Sequence, residues 1–171
     1  MAKVINTPVT DQDIDDINIG DMLLITGLIY TGRDAVLPKI VSMIKNNSLN
    51  QTDINLQGSI IFHTAVSPAG IGPTSSNKLE IESNIPALAK SGVKIHLGKG
   101  NLKPKTIEFL NEYKSIFAKV PPVSSLLTDN VRSEKVVAFS EEGMEALHEL
   151  EVIEFPAIVA AAHGQVLSYE S

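Results

Sequence analysis

The chain has 171 residues, 43% of them hydrophobic and 20% charged, the profile of one soluble globular domain large enough to build its own core. A net charge of −6 and a pI near 5.2 argue against nucleic acid or an anionic membrane as the main partner. With no cysteine at all, disulfides, thiol nucleophiles and any cysteine-ligated zinc or iron–sulfur centre held by this chain are excluded.

The opening, MAKVINTPVTDQD, lacks the apolar core of a signal peptide, and no apolar run reaches membrane-spanning length. A cytoplasmic protein is expected. TPVTDQDIDDINIGD reads as a short helix, with Thr10 as cap, Asp13 where a capping-box acid belongs, and Asn18 to Gly20 closing it. MLLITGLIY is too continuously apolar for an edge strand, so buried β structure is expected, bent near Gly27. From Asp34 to Asn46, residues Leu37, Ile40, Val41 and Ile44 recur at helical spacing, and Pro38 falls near the first turn.

A polar loop, SLNQTDINLQG, precedes a second buried strand, SIIFHTAV. The glycine-, proline- and serine-rich SPAGIGPTSSNKLEI reads as a loop opening into a helix, which Pro86 is expected to kink or divide. VKIHLGKG reads as a strand, KPKTIEFLNEY as a helix led by Pro104, and KSIFAKV as a strand. After the irregular PPVSSLLTDN, EKVVAFS, EEGMEALHEL and EFPAIVAAA read as strand, helix, strand, with GQVLSYE as a last strand turned back at His163-Gly164. This alternation predicts a single α/β domain, 1–171, with a largely parallel or mixed sheet.

Three corners can gather a ligand, because open α/β sheets bind outside the carboxyl ends of their strands. YTGRDA follows the first buried strand, GPTSS follows the second, and LGKG ends the third. Gly72 allows close approach and hydroxyls follow Pro73, which suits an anion at a helix start; plain capping explains the same residues and is their commoner use. Arg33 can grip a carboxylate bidentately or sit solvated beside a capping Asp34. Lys99, between two glycines, is a point charge on a close-approaching loop or a polar turn, and Lys78 reads by default as an exposed helix lysine. The four histidines, His63, His96, His148 and His163, make no His-x-x-x-His pair, so no metal site is expected here. The acidic runs Asp11 to Asp16 and Glu141 to Glu145 read as solvated helix faces.

In this order, GLIYTGRDA, GPTSS and GKG, followed by VVAFSEEGMEALHELEVIEFPAIV, resemble the β subunit, or C-terminal domain, of class I fumarate hydratase and L-tartrate dehydratase. The likeness covers nearly the whole chain. It implies a swivelling β/β/α domain with a mixed sheet, and a hydro-lyase that adds or removes water across a dicarboxylic acid such as fumarate. It also implies a cysteine-bearing α subunit carrying the 4Fe-4S cluster, hence a hetero-oligomer, or a homo-oligomer when the chain is alone. By position, the resemblance makes Thr74 the base at carbon, with Arg33, Lys99, Lys78 and Ser75 binding substrate and no metal held by this chain. Three departures stand out: Lys78 replaces an arginine, Leu37 replaces a histidine, and PPVSSLLTDN replaces a glycine- and alanine-rich stretch. They feed the competing expectation of a non-catalytic diacid-binding or assembly subunit.

Overall fold

A computed structural model describes residues 2–33, 35–67, 70–74, 78–120 and 130–167. Strand β1 (Ala2–Asn6) leads through the five-residue helix α1 (Asp11–Asp15) to β2 (Met22–Thr31). The capping box forms as expected: Asp13 N–H donates to Thr10 Oγ1 at 3.1 Å, and Thr10 N–H donates to Asp13 Oδ2 at 3.0 Å. Helix α2 (Leu37–Lys45) follows, then β3 (Ile60–Phe62), a small antiparallel hairpin of β4 (Thr64–Ser67) and β5 (Gly70–Thr74), and helix α3 (Lys78–Lys90). Strand β6 (Ile95–Gly98), helix α4 (Pro104–Glu112) and β7 (Ile116–Lys119) complete the alternating part. Then come β8 (Val131–Ala138), the 16-residue β9 (Leu147–Ala162) and β10 (Gln165–Val166).

Strands β2, β3, β6 and β7 run parallel in that spatial order. β9 lies antiparallel to both ends of the row, pairing with β2 from Met22↔Ile158 to Thr31↔His148 and with β7 around Phe117↔Ala161. The sheet therefore closes into a five-stranded ring, with β1 extending β2, and β8 and β10 attached to β9. Leu23, Ile25, Ile29, Phe62, Leu97 and Phe155 fill its interior, all essentially buried. Two further clusters lie outside the ring. One seats Leu37, Ile40 and Val41 of α2 with Leu88 of α3 against Tyr30 and Ile61, and the other seats Ile107 and Leu110 of α4 against Phe117 and Ala160. Each such aliphatic side chain contributes about 1.5–3 kcal/mol by leaving water. The result is α/β with a mixed sheet, as the alternation predicts.

Four local expectations change. SIIFHTAV is not one strand: β3 ends at Phe62, and Thr64–Ser67 form β4, which leaves the main sheet to pair with β5. GIGPT is strand β5 rather than loop, because pairing with β4 supplies the ladder that its glycines and proline conceal in the sequence. Helix α3 runs through Pro86 as one element; Ile85, Leu88 and Ala89 flank the proline, all buried in the outer clusters, and that packing outweighs the lost N–H bond. The helix expected over EEGMEALHEL is instead a 3-10 turn, Ser140–Glu145, followed directly by β9. Ladders to β2 on one edge and β8 on the other override its helical spacing. PPVSSLLTD, at 121–129, lies outside the described residues.

The bend near Gly27 is present and has a defined cause. Between Ile25↔Phe155 and Gly27↔Val152, β9 spends one more residue than β2, and Glu154 takes φ +48° there. That extra residue moves the inward set of β9 from Leu150 and Val152 to Phe155, Ala157 and Val159. Opposite it, Gly27 has φ +125°, and a Cβ would run into the side chain and backbone of Thr7. Gly27→Ala is expected to cost roughly 1–3 kcal/mol and to lower the urea midpoint at unchanged slope. An unaltered midpoint would remove the constraint argued for this position.

His63, directly after β3, and His96, within β6, are fully buried, their rings stacked at 5.5 Å with His63 Nε2 and His96 Nδ1 3.3 Å apart. Burial pushes the His63 imidazole down to about 4, and burial together with its neighbour pushes His96 down as well. Both are neutral at pH 7. An unfolded histidine titrates near 6.5, so between that value and about 4 the unfolded chain binds more protons. The stability held by His63, on the order of 3 kcal/mol, is complete above pH 6.5 and lost as the pH falls towards 4. Urea midpoints at pH 7.5 and 4.5 test this: the drop should shrink clearly in His63→Gln, and an equal drop in both proteins would refute it.

Candidate functional site

Three corners lie at the carboxyl ends of adjacent parallel strands. At the end of β2, Gly32 N–H donates to Phe62 O at 3.0 Å, which locks the corner to β3. A Cβ on Gly32 would come within 2.8 Å of Val36, 3.2 Å of Leu37 and 3.3 Å of Leu147, so only glycine lets the chain turn this closely over the outer core. The Arg33 carbonyl then accepts from the N–H groups of Val36 and Leu37, at 3.0 and 2.9 Å, and starts α2. The N-cap position belongs to Val36, without a side-chain cap; Asp34, expected as the cap, lies outside the described residues.

At the end of β3, His63 N–H donates to Leu97 O at 3.0 Å, and Thr64 opens the hairpin in which it faces Thr74 across the ladder. The backbone of Thr74 is thus held just beyond β3. Lys78 is the first residue of α3, and Ser75 lies outside the described residues. At the end of β6, Gly98 pairs with Lys119 of β7, and exposed Lys99 and Gly100, with φ +84°, turn the chain away. Neighbouring strands are about 5 Å apart, so the backbones of the β2 and β6 corners stand roughly 10 Å apart.

The electrostatics of the first corner come from a distant segment. Arg33 Nε donates to Glu145 Oε1 at 2.8 Å, and Lys39 Nζ meets Glu142 Oε1 at 2.7 Å and Glu141 Oε1 at 3.6 Å. Lys39 also lies 5.2 Å from the centre of the Phe139 ring. The hydrogen bond from its ammonium to the Glu142 carboxylate, assisted by the charges of Glu142 and Glu141, holds Lys39 above the usual lysine range. The Glu141 to Glu145 run, read from sequence as a solvated helix face, is therefore the counter-charge of the TGRDA corner. No local pattern could reveal it, because its partners lie more than a hundred residues earlier. The backbone of β4 also packs against this turn, joining the first two corners.

Beneath the corners, Thr31 Oγ1, His63 Nδ1 and His96 Nε2 are buried and have no hydrogen-bond partner among the described residues. Among those residues no three histidine or acidic side chains are grouped to hold a metal ion, and no helix is long and apolar enough to cross a membrane. Two open grooves of about 380 and 370 Å³ share Asn55 and Gln57 and lie towards the amino end of β3, away from these corners.

A family model described as Fumarase C-terminus matches residues 2–168. The chain is 32% identical to the "Putative L(+)-tartrate dehydratase subunit beta" of Methanocaldococcus jannaschii, over 94% of this chain and 88% of that protein. It is 29% identical to the "L(+)-tartrate dehydratase subunit beta" of Escherichia coli K12, over 100% and 89% respectively. A "Putative fumarate hydratase class I" of Geobacillus stearothermophilus is 27% identical over 95% of this chain, which spans 33% of that longer protein. Since the match takes in every element from β1 to β10, the chain belongs to the fumarase C-terminal domain family, that of the β subunits of class I fumarate hydratase and tartrate dehydratase.

Proposed function

We propose that the chain is the β subunit of a hydro-lyase that reversibly hydrates a C4 dicarboxylic acid, fumarate to malate in the simplest case. Its active site is completed by an α subunit. The observation that carries this reading is the run of corners, bearing Arg33, the backbone of Thr74 and Lys99, at the ends of three adjacent strands. Arg33 and Lys99 bind the two carboxylates, with Lys78 and Ser75 contributing at the start of α3. In the dehydration direction Thr74, as alkoxide, takes the proton from the carbon next to one carboxylate, and the hydroxyl on the neighbouring carbon departs. An alkoxide is a poor species at neutral pH, so the reaction depends on nearby cations and helix N–H groups; each well-placed donor contributes on the order of 3 kcal/mol.

The family's iron–sulfur cluster does not fit this chain, which has no cysteine to ligate it. It is assigned to the α subunit. For tartrate as the substrate, the support is the naming of the relatives matched over most of their length. A binding or assembly role draws support from Leu37, which stands where the family has histidine and is 1% exposed within the outer core, offering a substrate no polar group.

Anaerobic reconstitution with a cysteine-bearing α partner, assayed for fumarate hydration and tartrate dehydration, tests the proposal. Thr74→Ala should abolish turnover while diacid binding remains measurable; near-normal turnover would exclude Thr74 as the base. Arg33→Lys should raise KM and reduce kcat/KM by about ten- to a hundredfold, since lysine cannot reproduce a two-point grip. A stable complex that binds diacid but turns over neither acid would favour the binding role.

A further inference from the structure

Glu145 has no task in the reaction just described, yet it makes the closest ion pair to the corner. Its carboxylate takes the Nε–H of Arg33 at 2.8 Å, with the two side chains only 26% and 36% exposed. The Nε–H lies in the guanidinium plane, so a bond at that atom restrains both the plane and the direction of the terminal nitrogens. Glu145 is itself held firmly. The next two residues, Ala146 and Leu147, are each 1% exposed, and Ala146 N–H closes the turn on Gly143 O at 3.0 Å. Four residues after Gly143, at Leu147, the chain enters β9. The Lys39–Glu142 pair ties the same turn to α2 at a second point, which fixes it against the element that Arg33 precedes.

We propose that Glu145 is a positioning residue: through Arg33 Nε it sets the orientation in which the guanidinium meets a substrate carboxylate. This rests on the reading of Arg33 as a carboxylate ligand. A surface ion pair of this exposure is worth at most about 1 kcal/mol to folding, so its removal should register in substrate binding far more than in stability. Geometry is the operative property, because a neutral acceptor in the same place keeps the Nε–H bond and its direction, though the bond is weaker.

The chain contains two arginines, Arg33 and Arg132, so their two Nε–H resonances are assigned by Arg132→Lys alone. In the wild type one of them, from Arg33, should exchange slowly. It should persist in Glu145→Gln, whose amide oxygen accepts the same bond, and become fast in Glu145→Ala and in the shorter Glu145→Asp. In the reconstituted enzyme Glu145→Ala and Glu145→Asp should raise KM for the diacid about tenfold or more, with a smaller change in kcat. Glu145→Gln should stay within about threefold of the wild type, and melting temperatures should barely move. The proposal is overturned if Glu145→Ala changes neither exchange nor KM, or if Glu145→Gln is as impaired as Glu145→Ala, which would make charge rather than position the cause. If Arg33→Lys itself leaves KM unchanged, the carboxylate reading fails and this inference falls with it. An effect of Arg33→Lys beside a silent Glu145→Ala refutes the positioning role alone.

Discussion

Closure of the sheet by β9 is the constraint on which the other features depend. Four parallel strands, of which only β2 exceeds four residues, would form a narrow sheet with two exposed edges. A 16-residue strand that pairs with both outer members removes those edges and encloses the apolar interior. The closure needs a change of inward parity halfway along, because the side chains that face inwards beside β2 must keep doing so as β9 passes on to β7. One residue with positive φ at Glu154 achieves it, and the polar groups it displaces are satisfied: Glu154 N–H donates to Thr26 Oγ1 at 3.1 Å and Ile153 N–H to Asn130 O at 2.8 Å.

The same closure determines what the TGRDA corner touches. Because β9 begins opposite the end of β2, at Thr31↔His148, the acidic turn just before it lands beside Arg33 and Lys39. Gly32 then lets the corner press onto Leu147, the first residue of β9. An apolar contact and an ion pair thereby fix one short segment from two sides. At the strand ends, loop residues are free to vary in chemistry while the ring holds their spacing.

Much of this was legible in the amino-acid order. Continuous apolar runs announced β2 and β3, the helical recurrence of Leu37, Ile40, Val41 and Ile44 announced α2, and Thr10 with Asp13 announced the cap of α1. Arg33 and Lys99 were identified as corner residues because strand ends are where such sheets bind ligands. What stayed hidden was decided by contacts distant in sequence. EGMEALHEL satisfies a helical pattern, yet its first four residues belong to the 3-10 turn and its last four, LHEL, join β9, where two other strands pair with them. GIGPT looks like a turn until β4 supplies its ladder. Glu145 belongs to Arg33 through the path of β9, which no local pattern records, and His63 meets His96 only because β3 and β6 lie side by side, with His96 opposite Ile61, two residues before His63. The roles of Thr74, Lys78 and Ser75 came from resemblance, not from any physical signature of their own.

The position of β9 in the chain also orders events during synthesis. Every parallel strand of the ring and every helix precedes it, yet Met22 must wait for Ile158, and Arg33 for Glu145. On a ribosome the emerging protein therefore holds an open half-sheet, and Arg33 lacks its Glu145 contact, until β9 appears. Closing the ring and forming the Arg33–Glu145 pair become a single late event, so a nascent chain cannot finish the TGRDA corner before the ring is sealed.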